Sequence, residues 1–453
     1  MSVARAGALA RSRCALVGAM ATWVAAALPA AAQAPDLRSF DVEHYGVTLE
    51  VDLERRAVRG VEQIRFVAAA GERVTLALDA GALEIDAVRE AGLERAFAKR
   101  GAQLFVELPA ATERERSIEI RYHGSPPKGV KFLPQSAQVS TAFATSQWLP
   151  CVDAPDERAT FELALISPHG SEVAASGRLV ASEDTSEGLV TRWSLEQPAP
   201  SYLYGFALGP FVAVQDTTGR VALRYLAPHS FAAPDLRRVF ADTRDMLEFF
   251  ESKAGVSYPH SAYTQVLLEQ GSGQELAGMA LMGTSYGKRA LEDPTNVWLG
   301  AHELAHQWWG NGVTNATWRH FWLNEGIATF MTAAYLEHRF GHDAYFKQID
   351  AARAKYEALA AAGKDHALVF DDWSSPSADD RAIVYDKGAY VLHRLREEIG
   401  DDAFWTGLRR YTVSNWGRSV TTPDFQTAME QGASRDLGAF FARWVYSVPS
   451  GAQ

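Results

Sequence analysis

The chain has 453 residues, 47% of them hydrophobic and 22% charged, with a formal net charge of −11. Such a composition excludes a disordered chain and allows two or three domains, each with its own core. The acidic balance argues against nucleic acid or an anionic membrane surface as a partner.

In chain order, the first segment reads as a secretory signal peptide. Arg5, Arg11 and Arg13 precede an apolar run over residues 15–28, and Ala30-Ala31-Ala32 forms a small-residue cleavage pattern. Residues 1–32 are therefore expected to be removed, leaving an exported protein in the periplasm or the medium. A membrane anchor is the weaker reading, because the run is shorter than the ~20 residues a spanning helix needs. No later segment is long and apolar enough to span, so no membrane span is expected after cleavage. Loss of three arginines and no acids moves the formal charge from −11 to −14. Cys14 leaves with this segment, so Cys151 stands alone and no internal disulfide is expected.

Over residues 40–211 apolar and polar residues alternate, as in Val47-Thr48-Leu49-Glu50-Val51 and Ser117-Ile118-Glu119-Ile120-Arg121-Tyr122. This half reads as all β, a domain over residues 36–215. The chain turns polar over 213–219, and after one more strand at 221–226 the period changes. Residues 235–253 carry Val239, Met246, Leu247 and Phe250 at helical spacing. Helical patterns dominate from there, including 385–399 and 401–411, interrupted by predicted strands at 263–268 and 279–286. A second, mainly helical domain is expected over residues 216–453, with no internal repeats.

The chemistry concentrates at His302-Glu303-Leu304-Ala305-His306, whose neighbours Trp298, Leu299 and Ala301 favour a buried helix. At i and i+4 the two imidazoles share one helix face and can reach a single Zn²⁺ ion. Glu303 lies about 100° round the helix, so it can reach a water on the metal without ligating it. A third ligand must come from elsewhere. Glu325, nineteen residues past His306 and inside a further helical pattern, is the candidate, which gives one zinc per chain. Trp308, Trp309, Trp318 and Trp322 read as core and wall residues, and His320 as structural or as support for a ligand.

The run from His302 to Gly326 resembles the gluzincin aminopeptidases of the aminopeptidase N and leukotriene hydrolase type. Thr314-Asn315 and His320-Phe321-Trp322 are nearer the latter branch. Val42-Glu43-His44-Tyr45, Pro150-Cys151-Val152-Asp153-Ala154-Pro155, Ser201-Tyr202-Leu203 and Gly209-Pro210-Phe211 match further landmarks in order. The resemblance implies an α+β multidomain fold, an N-terminal all-β saddle domain followed by a thermolysin-like, mainly helical catalytic domain. Because the chain stops soon after Trp444 and Pro449, where longer relatives continue, it also implies a short form lacking the C-terminal domains, with a more open site. Val384-Tyr385-Asp386-Lys387-Gly388-Ala389 matches the family's tyrosine motif. The resemblance therefore makes Tyr385 the donor to the oxyanion that forms after Glu303 has deprotonated the attacking water. Without the resemblance Tyr385 reads as a core or rim aromatic. Lys387 reads as solvated or paired with Asp386.

The activity implied is hydrolysis of peptide bonds near the N-termini of peptide or protein substrates. Relatives hold the substrate ammonium with the glutamate of a Gly-x-Met-Glu-Asn motif. The run matched to it here is Ala277-Gly278-Met279-Ala280-Leu281, which puts Ala280 in the glutamate's place. A second amine contact from the β domain has no acid available over residues 140–149, only Gln147. Two outcomes stay open. Glu275, three residues before Gly278, substitutes as the anchor, or the demand for a free N-terminus is relaxed so that blocked, modified or internal bonds are cut. The two missing anchors together favour relaxation. The substrate-binding candidates are thus Glu275, Gly278, Met279 and Ala280. Epoxide or ester hydrolysis, and a non-enzymatic binding module on the same scaffold, are the alternative readings, the latter disfavoured by the complete ligand set.

Overall fold

The computed structural model describes residues 38–448 apart from 372, 374 and 375. The expected signal peptide lies outside the described residues. Along Phe40–Asp52 and Ala57–Ala68 buried and exposed positions alternate, so one face of each strand enters a core and the other meets solvent. These strands form the middle of an eight-stranded sheet. Phe40–Asp52 runs parallel to Ala159–Ser167 on one side and antiparallel to Ala57–Ala68 on the other. A three-stranded sheet (Val74–Asp79, Gln103–Leu108, Phe97–Arg100) and a four-stranded one (Glu172–Ala175, Phe206–Gly209, Gln138–Thr141, Val130–Leu133) complete this half. Tyr45, Ile64, Leu76, Val106, Trp148 and Phe161 belong to its one core, in which Cys151 is buried and free. The expected β-rich first half is present.

At Pro210 the chain changes sheets. Strand Phe211–Asp216, which a boundary at 215 assigns to the first half, pairs with Ala222–Pro228 in a separate, five-stranded sheet. Its order continues through Ala262–Leu268 and Met279–Gly283 to the edge strand Gly273–Leu276. The three inner strands are parallel and both edges antiparallel. The strand expected over 279–286 ends at Gly283, where helix Thr284–Glu292 begins, and the four-residue edge strand is absent from the sequence reading. The helix expected over 235–253 is two helices, Ala233–Val239 and Thr243–Ala254. Between them Phe240 stacks on Tyr225 at 4.9 Å, and Thr243 Oγ1 donates to Gln265 Oε1 at 2.7 Å, so tertiary contacts override the helical period. An apolar seam of Ala174, Ala207, Phe211, Leu276, Met279 and Leu281 joins this sheet to the β-rich half. Helices Trp298–Ala305 and Trp322–Phe340 pack in the helical core. From Ser39 onward the chain forms one compact unit. Among the described residues no helix is long and apolar enough to cross a membrane.

One group in the β-rich core is out of keeping with its surroundings. Glu62 is fully buried, and neither carboxylate oxygen has a hydrogen-bond partner among the described residues. Burial pushes its pKa well above the ordinary 4.5, so the folded protein holds it as a neutral acid. As pH rises past 4.5 the unfolded chain gives up this proton before the folded one does, so stability falls as pH rises towards the elevated folded value. In Glu62→Gln that component disappears. Unfolding free energies from urea titrations between pH 5 and 8 are expected to decline more steeply in the wild type than in the variant, by up to ~1.4 kcal/mol per pH unit. Equal slopes would show that the carboxyl is ionised in the folded protein.

Candidate metal centre and active site

Two helices supply the metal cluster. Trp298–Ala305 carries His302 and Glu303, with His306 at its C-terminal cap, and Glu325 sits in the first turn of Trp322–Phe340. All four are buried. His302 Nε2 and His306 Nε2 are 3.1 Å apart and lie 3.3 and 3.2 Å from Glu325 Oε2. His306 Nδ1 faces Trp309 O at 3.1 Å. A carbonyl only accepts, so Nδ1 carries a proton and Nε2 is the nitrogen turned to the cluster. Two imidazole nitrogens and a carboxylate oxygen thus converge on one point, which a cation satisfies.

The surrounding charge points the same way. Burial opposes a charge on His306, yet Glu325, Glu275 and Glu303 outweigh it and push that imidazole up to about 10. Burial, with Glu325 adding to it and His306 opposing, pushes Glu275 up to about 7. A buried two-nitrogen, one-oxygen donor set suits Zn²⁺. The residues fit the ion.

Glu303 owes its seat to a glycine on the edge strand. A Cβ on Gly273 would stand 1.7 Å from Glu303 Oε1, so no larger residue leaves the carboxylate where it is. Glu303 Oε2 has no hydrogen-bond partner among the described residues, and burial pushes the group's pKa well up. Gln307 holds that strand and the turn after it against the zinc helix: its Nε2 donates to Leu276 O at 3.0 Å and its Oε1 accepts from Gly278 N at 3.0 Å. Side chains alternate along a strand, so Glu275 faces the cavity while Leu276 enters the apolar seam.

Tyr385 lies in a wide helical turn, Ile383–Lys387, and its ring stacks on His302 at 5.9 Å with the planes 21° apart. Burial first, then Glu325, pushes its pKa well above 10, so the phenol keeps its proton. The helix that follows, Gly388–Ile399, crosses the Glu325 helix glycine on glycine: a Cβ on Gly388 would meet Gly326 Cα at 2.9 Å. Lys387 corrects the sequence expectation. It is fully buried, and its ammonium donates to Asp365 Oδ1 at 2.7 Å and His366 O at 2.6 Å. Asp386 instead accepts from Lys355 at 2.8 Å.

His302, Glu303, Glu325, Tyr385 and Glu275 line one cavity of about 590 Å³, to which the β-rich half contributes Phe143. Gly278, Met279 and Ala280 do not line it, contrary to the sequence reading. Gly278 makes the turn at φ 80°, and Met279 is buried in the seam. Ala280 pairs directly with Glu275 in the antiparallel register, so the two side chains share a sheet face. The carboxylate expected from position 280 enters from the neighbouring strand, over an alanine small enough to leave it room. Gln147 is also elsewhere, packed against Gly81 and Gly129. Phe143, left-handed at φ 46° and stacked on Tyr202 at 6.4 Å, is what the β-rich half brings instead. His320 faces Thr422 Oγ1 at 2.9 Å rather than the metal cluster, and Trp308, Trp309 and Trp322 are core residues. Gly273, Gln307 and Phe143 are absent from the sequence reading; a glycine two residues before Glu275 was the one local signal.

What the fold and this cluster define is a two-part zinc metallopeptidase. Comparison with known proteins places it further: residues 41–203 match the peptidase M1 N-terminal domain and residues 239–444 the peptidase family M1 domain. The chain belongs to peptidase family M1. It is similar to leucine aminopeptidase 2 of Phaeosphaeria nodorum, 24% identical over 435 residues that cover 88% of this chain and 69% of that protein. It is similar also to aminopeptidase N of Lactobacillus delbrueckii subsp. lactis, 27% identical over 437 residues, 90% of this chain and 51% of that one, so it spans about half that relative's length. A solved M1 zinc metallopeptidase from Deinococcus radiodurans shares the fold, with a TM-score of 0.75 at 23% identity over 92% of this chain and 97% of that one.

Metal analysis of purified variants tests the cluster. His302→Ala, His306→Ala and Glu325→Ala are each expected to lose most of the zinc, whereas Glu303→Gln keeps it and loses activity, because a base is not a ligand. Full zinc retention in Glu325→Ala would remove that residue from the ligand set.

Proposed function

We propose that the protein is an exported, aminopeptidase-like zinc peptidase that cleaves the first peptide bond of substrates with a free N-terminus, recognised atypically through one carboxylate. The observation that carries this reading is Glu275, buried on the cavity wall beside the metal cluster with Oε1 unpartnered among the described residues. A substrate ammonium placed there gains a counter-charge, without which its burial costs several kcal/mol. Relaxed recognition, the expectation from the sequence, presumed an alanine at the anchor's position. With Glu275 in the cavity we favour recognition of the free amine, while the displacement of Gln147 leaves that anchor without the expected second contact. Export rests on the pattern of residues 1–32. The substrate class is supported by the aminopeptidase relatives.

Zinc held by His302, His306 and Glu325 would polarise the scissile carbonyl and acidify a water molecule. Glu303, with one carboxylate oxygen free of partners among the described residues, takes the water's proton and passes it to the departing amine. Tyr385, held protonated, donates its phenol hydrogen to the carbonyl oxygen as negative charge develops there. Glu275 orients the ammonium so that the first peptide bond is the one presented for attack.

Tyr385→Phe is expected to lower kcat by ~10² to 10³ with zinc retained and KM little changed, the usual cost of one oxyanion donor. A variant within a fewfold of the wild type would hand that role to another group. For the anchor, kcat/KM is compared for one peptide with a free and with an acetylated N-terminus. We expect the free amine to be favoured by more than about a hundredfold, and the preference to drop below about tenfold in Glu275→Ala. A wild-type ratio already within about tenfold would reinstate relaxed recognition.

A further inference from the structure

We propose that Arg381 binds the substrate's C-terminal carboxylate, which makes short peptides with a free C-terminus the preferred substrates; this rests on the aminopeptidase reading above. Arg381 lies on helix Ala378–Ala382, which leads into the turn bearing Tyr385. Ala378, Arg381, Ala382 and Tyr385 all line the cavity, the spacing of a single helix face. Two alanines flank the arginine there, so its side chain alone projects far from that stretch of wall.

The guanidinium makes no hydrogen bond or ion pair among the described residues, and the acids beside it are engaged elsewhere. Asp379 accepts from Lys364 Nζ at 2.6 Å, and Asp380 caps its own helix by accepting from Ser377 N at 2.7 Å. Lys355, which also lines the cavity, is paired with Asp386 at 2.8 Å, and His306 faces Glu325. Arg381 is therefore the one cavity cation among the described residues without a partner. Guanidinium stays charged at any working pH, and its planar fork matches a carboxylate with two parallel hydrogen bonds. The cavity is thus polarised to suit a zwitterion: Glu275 enters from the sheet edge to meet an ammonium, and Arg381 from the helical wall to meet a carboxylate.

The spacing limits how long that zwitterion is. Arg381 precedes Tyr385 by four residues, or ~6 Å of helical rise. An extended peptide advances ~3.3 to 3.6 Å per residue. For a substrate laid along this wall with Tyr385 over its scissile carbonyl, the flexible guanidinium reaches a carboxylate one or two residues beyond the cut, the terminus of a dipeptide or tripeptide.

The test uses the zinc-loaded full chain with Leu-Ala-Ala and its C-terminal amide, cut at the same bond. The wild type is expected to favour the acid about tenfold in kcat/KM, mainly through KM, a discrimination of ~1.4 kcal/mol. The ratio should fall to within about twofold of unity in Arg381→Gln and stay above about threefold in Arg381→Lys, which keeps the charge and loses the fork. Cleavage of the amide reports the peptidase reading by itself, and the acid-to-amide ratio reports Arg381. A wild-type ratio near unity, or a ratio unchanged in Arg381→Gln, would overturn the assignment. So would a collapse of the ratio in Lys355→Gln with Arg381 intact.

Discussion

Two imidazole nitrogens and a carboxylate oxygen drawn to within 3.1 to 3.3 Å of one another leave a place for one cation among them, and much of the molecule serves to hold them there. Both ligand-bearing helices run through the centre of the helical core, so their ends cannot splay without breaking the packing of Leu304, Ala305, Ile327 and Ala328. The β-rich half acts as a buttress. Asn324, adjacent to Glu325, accepts from Asn315 N and donates to Tyr202 OH, which in turn donates to Gly310 O just beyond His306. Arg158, from the same half, donates to Thr314 Oγ1 at 2.7 Å and Asn311 O at 2.9 Å. One network of hydrogen bonds therefore fixes the segments following both histidines and the residue preceding the third ligand.

The parts of this site legible in the sequence are those whose geometry is local. Two histidines at i and i+4 are on one helix face wherever that helix sits, and a glutamate between them is off it. Glu325 is legible from its fixed distance downstream, and Tyr385 through a family motif. What escaped depends on pairing between strands. Gly273–Leu276 is four residues long and almost wholly buried, so it shows no alternation of polar and apolar residues. Without that strand, the Gly-Met pair at 278–279 attracted the motif, and the anchor was read onto Ala280, whose cross-strand partner is Glu275. A strand register is set by hydrogen bonds to a neighbour, and here also by the carboxamide of Gln307, information that no window of sequence contains. The same reason hides Phe143, which reaches the cavity from a left-handed turn in the other half of the molecule.

The fold-level reading fared likewise. Alternation identified the strands of the first half, and helical periods identified most of the second. The break between Ala233–Val239 and Thr243–Ala254 comes from an aromatic stack with a strand distant in sequence, which periodicity does not register.

The burial of Lys387 separates two functions that share one cavity. Its ammonium ties the Tyr385 turn to Asp365 and His366, in the connection after helix His342–Ala361, while the zinc ligands are tied to the sheet edge and the β-rich half. The Tyr385 turn thus has a tether of its own in addition to its packing on His302 and on the Glu325 helix. Sequence drift in that connection can shift the phenol with less disturbance of the metal cluster than drift in either ligand helix, which gives evolution a finer dial on the cavity.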